Sequence, residues 1–122
     1  MKKLSMLVLL TSLLSLNVLA DLTKAEDAFR KEDYVTAHKE FMQEADCGND
    51  IAQMRLGWMY KKGIGVNKDL ILAHMWYDLS SSNGAEKVLE AKEQLAKQMT
   101  PQQVEQAKKM ANEWKSKHST NS

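Results

Sequence analysis

Residues 52–84 read AQMRLGWMYKKGIGVNKDLILAHMWYDLSSSNG, and this stretch decides the fold. Ala52, Leu56 and Tyr60 are spaced by four, which places them on one face of a helix. Gly57, beside Leu56, lowers helix propensity by about 1 kcal/mol. That loss is tolerable where the missing side chain admits a second helix. Gly63 and Gly65 accept the positive φ angles that end one helix and turn the chain. Asp69 then caps a return helix, in which Ala73 permits a close crossing and Trp76-Tyr77 fill the space between helices. Each large buried group contributes roughly 1.5–3 kcal/mol. Gly84 is the stop. Helix, glycine loop, helix and stop make one unit of a helical repeat.

The unit has an echo upstream. A shift of 36 residues lays Asp33 on Asp69, Ala37 on Ala73, His38 on His74, Phe41 on Tyr77 and Gly48 on Gly84. The second helix therefore occurs twice, with start and stop in register. The first helices match at a shift of 31, which sets Ala25, Ala28 and Phe29 on Leu56, Met59 and Tyr60. The early unit thus has a tight turn at Lys31-Glu32-Asp33 where the later one has Gly63 to Lys68. Thr23 with Glu26 three residues on reads as a capping box that starts the first helix.

Downstream, residues 85–99 place Val88, Leu89, Leu95 and Met99 at helical spacing. Thr100-Pro101-Gln102-Gln103 marks another helix start, with Thr as cap, Pro at the first helical position and Gln closing the box. Val104, Ala107, Ala111 and Trp114 form one apolar stripe, and the rest of that helix is polar. A terminal cap needs that: one face docks on the last repeat and the other meets water. His118 to Ser122 reads as a polar end. The expected fold is all-α, a short α-α superhelix of helical hairpins with a C-terminal capping helix.

The first twenty residues differ from the rest. Met1-Lys2-Lys3 is a positive start, Leu4 to Leu16 is mostly Leu, Met and Val, and Val18-Leu19-Ala20 gives the small residues of a cleavage site before Asp21. A membrane anchor needs about 20 apolar residues, and Ser5, Thr11, Ser12, Ser15 and Asn17 interrupt this run. The pattern predicts a cleaved signal peptide at 1–20 and a periplasmic or secreted protein. One domain is expected over 21–122, with a degenerate first repeat at 21–49, a full repeat at 50–84 and closing helices at 85–117. Loss of Lys2 and Lys3 leaves 15 basic groups against 16 acidic ones. A balanced chain of this kind does not point to nucleic acid, whose phosphates draw on a local excess of Lys and Arg. Lys108-Lys109 and Lys115 to Lys117 read as a solvated helix face. No membrane association is expected after cleavage. Cys47 is the only cysteine, so the fold rests on no intrachain disulfide. A small buried residue at a helix end is the expectation for it, and a bridge between two chains is the alternative.

The residues Leu56-Gly57, Tyr60, Gly63, Gly65-Val66, Asp69, Ala73, Trp76-Tyr77 and Gly84 resemble the Sel1-like repeat, a relative of the tetratricopeptide repeat. Residues 25–48 look like a degenerate first copy, and 100–117 is similar to the closing helix often found after such repeats. The resemblance implies antiparallel helix pairs stacked into a superhelix, with the first helix of each unit lining the concave side. One exported branch of the family carries paired cysteines in each repeat and has β-lactam binding or hydrolysis. The position 36 on from Cys47 is Asn83, so this chain departs from that branch. A small cell-envelope hydrolase is therefore the alternative function, on family analogy alone.

Catalysis needs a nucleophile, an acid–base pair or a metal within reach of one another. His38 and His74 occupy equivalent places on successive helices, but no third ligand sits at a recognisable spacing, and with His118 they read as solvated helix-face residues. Ser80 to Ser82 form a helix end with no glycine elbow. No catalytic residue, metal or cofactor is expected. Binding is better supported. In the first helix of the full unit, Met54, Arg55, Trp58, Met59, Lys61 and Lys62 are not used by the repeat framework. Trp and Arg anchor interfaces and Met adapts to shape, so these six are the candidate partner-binding residues. Two placements of Trp58 remain open: exposed in a peptide-holding patch, or packed on the first repeat or the closing helix. The expected function is a non-catalytic adaptor for a protein or peptide of the cell envelope, as a monomer or weak homodimer.

Overall fold

Six helical segments follow one another in the computed structural model, which describes residues 22–82 and 85–119. The leader expected at 1–20, with Asp21, lies outside the described residues, as do Asn83, the stop Gly84 and residues 120–122. The helices are α1 (residues 22–30), α2 (Tyr34–Asp46), α3 (Asp50–Lys62), α4 (Leu70–Ser81), α5 (Glu86–Ala96) and α6 (Pro101–Ser119).

Local signals set most of the boundaries. Asp33 ends the tight turn, where Glu32 takes φ 62°, and its carboxylate accepts from Thr36 N–H at 3.3 Å. Asn49 accepts from Ala52 N–H at 3.0 Å and Asp69 from Leu72 N–H at 3.0 Å, so α3 and α4 are each capped. Gly63 (φ 69°) closes α3 by donating its N–H to the Met59 carbonyl at 2.8 Å. Thr100 and Gln103 form a reciprocal box at 2.9 and 3.1 Å. At α1 the expectation fails. Leu22 is already helical, so Thr23 lies inside the helix rather than at its cap. Glu26, expected to close that box, reaches instead to Arg55 of α3 at 2.9 Å, a stronger charge-assisted bond.

Packing follows from the apolar stripes. Helix α3 lies against α2 and α4, and α4 also meets α5 and α6. Helix α4, packed on α3, α5 and α6, is correspondingly buried around most of its circumference: Ala73, His74, Met75, Trp76, Tyr77, Leu79, Ser80 and Ser81 are all buried. Phe41, Leu56 and Met59 are fully buried in the main cluster. A second cluster joins Ala73 and Tyr77 of α4 to Val88 and Leu95 of α5. The stripe of α6 docks as expected: Ala107 and Ala111 are buried, and Trp114 meets Trp76 edge-on at 6.4 Å.

Two glycines have reasons beyond the turn. A Cβ on Gly57 would stand 2.5 Å from Tyr77 Cδ1, so the ring of α4 occupies the space that glycine leaves. Gly65 (φ 76°) lets the loop after α3 press on the start of α2, where a Cβ would fall 2.8 Å from the Tyr34 carbonyl oxygen. The result is a short stack of helical hairpins with a capping helix.

Three expectations are corrected. Leu89 is 36% exposed, because α5 turns Val88 and Leu95 to α4 and Leu89 sits 100° round from Val88. Cys47 is exposed at the C-cap of α2, where the chain leaves the core to turn. His74 is only 2% exposed, since α5 and α6 both pack on α4 over it.

Candidate functional site

Helix α3 spends one face on the core and offers another. Ala52, Leu56 and Met59 are fully buried. Met54, Arg55 and Trp58 lie at i, i+1 and i+4 on a different stripe, and all three are partly exposed. They form one wall of a cleft of about 200 Å³, whose opposite wall is Lys87, Val88 and Ala91 of α5, with Tyr77 of α4 at its base. The second core cluster runs into both walls, through Met54 on one side and Val88 and Ala91 on the other.

Trp58 packs on the first repeat and keeps part of its surface exposed. One side of its ring meets Phe29 of α1 edge-on at 5.4 Å, and another side lines the cleft. Arg55 is held in place as well. Its Nε donates to Glu26 at 2.9 Å and its guanidinium carbon stands 5.3 Å from the Phe29 ring centre, a cation–π distance. The abbreviated first unit therefore braces two of the candidate side chains.

Not all six candidates meet. Met59 is fully buried in the main cluster, because its place on α3 aligns it with Ala52 and Leu56; it is a packing residue. Lys61 and Lys62 lie in the last turn of α3, beyond the cleft, where cations also complement the helix dipole. Tyr77, Lys87, Val88 and Ala91 were not among the candidates. Tyr77 and Val88 carried a signal, but as core positions; that their far sides would face α3 depends on how α5 folds back.

The three histidines have different surroundings. His38 Nε2 stands 3.1 Å from the Tyr60 hydroxyl, and burial holds the His38 imidazole below its usual pKa while raising that of Tyr60. Burial also depresses His74; nearby Asp78 pulls the other way, and Lys92 and Lys108 push it further down. His74 Nδ1 is buried with no hydrogen-bond partner among the described residues. His118 stacks on Trp114 at 3.6 Å and its Nδ1–H donates to the Trp114 carbonyl at 2.7 Å. Ser80 is occupied too, donating its hydroxyl to the Asp50 carbonyl at 2.8 Å and tying the end of α4 to the start of α3. Among the described residues, no group of three or more His, Cys, Asp and Glu is arranged to hold a metal ion, and no helix is long and apolar enough to cross a membrane.

No protein-family model matches this sequence, and no curated protein does. Among solved structures, the chain resembles a protective antigen present in uropathogenic Escherichia coli strains, described as displaying an SLR fold. The TM-score is 0.77 at 24% sequence identity, over 85% of this chain and 23% of the antigen's. The chain therefore spans about a quarter of that protein's length. The likeness is one of fold: stacked helical hairpins of the Sel1-like repeat type.

Proposed function

We propose that this protein is a non-catalytic, Sel1-like adaptor of the exported bacterial type, which holds a protein segment in the cleft between α3 and α5. The observation that carries the reading is the division of labour on α3. Its framework residues are consumed by the core, while Met54, Arg55 and Trp58 are presented at a cleft, the last two braced from behind by Phe29 and Glu26. Side chains held in place before binding lose less conformational freedom on capture, which is what an interface anchor requires. The leader-like residues 1–20 support placing the protein in the periplasm or outside the cell, with an envelope protein as partner.

The test is a photo-crosslinker introduced at position 58 and, separately, at position 89, on the far side of α5. Capture of one discrete partner from position 58 alone is the expected result. Equal capture from both positions would mean that the cleft is not the site. Turnover of a chromogenic β-lactam by the purified protein, abolished by a point substitution, would replace the adaptor reading by a hydrolase.

A further inference from the structure

Resting on that adaptor reading, we infer that the cleft recognises an acidic peptide segment: one aromatic or large aliphatic side chain seated between Trp58 and Val88, with carboxylates beside it and about three residues along. The size of the cleft argues for the apolar anchor. An apolar cavity of about 150 Å³ accepts a benzene-sized group, and this one measures about 200 Å³. Its walls supply a thioether, an indole, a phenol ring and two aliphatic side chains, in Met54, Trp58, Tyr77, Val88 and Ala91.

The charge at the rim argues for the carboxylates. The polar side chains of the lining are two cations, Arg55 and Lys87, one from each wall, and a phenol; no acid is among them. Arg55 is partly answered by Glu26, but Lys87 is exposed and has no ion pair among the described residues. The same sign continues along α3. Lys61 and Lys62 are seven and eight positions from Met54, so they lie on its stripe beyond Trp58. Lys62 has no ion pair among the described residues either, and it is exposed. From Arg55 to Lys62 the helix rises about 10 Å, which an extended peptide covers in about three residues. A single terminal carboxylate satisfies one end of this line. A segment with two acidic side chains satisfies both.

The experiment is fluorescence polarisation with three labelled, end-blocked peptides, each carrying a central Phe. In the first, Asp stands next to Phe and again three residues on; in the others both Asp residues are replaced by Asn or by Lys. The expected result is that the Asp peptide binds about tenfold or more tightly than the Asn peptide, not measurably with Lys, and more weakly as salt rises. Lys87→Glu and Lys62→Glu should each weaken it by about tenfold with unchanged melting temperature, and Lys109→Glu, on exposed α6 surface, should not. If the Asn or Lys peptide binds as tightly and Trp58→Ala abolishes it, the peptide cleft stands and its acidic preference falls. Unaltered binding in Lys87→Glu, or tighter binding of a synthetic peptide of residues 1–20, also overturns the preference. If no peptide binds, the preference and the adaptor reading fall together.

Discussion

The two repeat units share the framework of a second helix, at five positions in register, and bury it quite differently. Asp33 and Asp69 both cap, Ala37 and Ala73 are both fully buried, and Phe41 and Tyr77 both fill the core. Yet His38 is half-buried with a hydroxyl beside it, whereas His74, its exact counterpart in register, is buried with Nδ1 unpartnered. The difference lies in the neighbours. Of the other helices α2–α6, α2 packs closely on α3 alone, while α4 packs on α3, α5 and α6. A repeat position therefore prescribes which way a side chain points, and its place in the stack decides how much water it keeps.

This contrast can be broken at several points. The deepest is α3, which packs on a helix of each unit. Leu56→Ala removes a fully buried side chain facing the main cluster and should lower stability by about 2–5 kcal/mol in urea denaturation. A loss below half a kcal/mol would mean that α3 buries another face. Next is Gly57→Ala. Helix propensity alone favours alanine by about 1 kcal/mol, but the new methyl would meet the Tyr77 ring at 2.5 Å. Overpacking of that kind costs about 1–3 kcal/mol, so net destabilisation is expected. A stabilised variant would show that Tyr77 can move aside.

The histidines give the third test. Burial depresses both imidazoles below the usual 6.5, so the unfolded chain takes up the proton first. Their contribution is intact above that value and is lost as pH falls through it toward the folded-state pKa. Stability measured from pH 7.5 down to pH 5 should fall, and His74→Gln should flatten the slope more than His38→Gln, because His74 is the more buried. An equal effect of the two substitutions would break the comparison. The smallest effects belong to exposed apolar residues: Val35→Ala and Leu89→Ala should each stay within about 0.5 kcal/mol of the original stability.

What could be read in advance was whatever is decided within a few residues. The Thr100–Gln103 box, the left-handed Gly63 and the caps at Asp33 and Asp69 are satisfied by near neighbours in sequence. What could not be read depends on which helix folds back on which. His74 and Met59 looked available, but α5 and α6 pack on α4 and Met59 falls on the buried face of α3; Leu89 looked buried because periodicity gives a stripe but not its limits, and Cys47 because a small residue at a helix end is commonly covered. Half of the candidate site was legible for the same reason. Met54, Arg55 and Trp58 belong to one helix, while Lys87, Val88 and Ala91 complete the cleft from across a turn whose geometry no local pattern encodes.

Gly65 has a consequence for how the protein comes apart. It sits in the loop of one unit yet touches the first residue of the second helix of the other, with no room between them for a side chain. In a stacked array, stability divides into what each unit owns and what each junction adds. Here a junction is built from backbone against backbone, so neither unit can fray without exposing the other. Thermal unfolding should then appear as one cooperative transition, with the same midpoint by calorimetry and by circular dichroism.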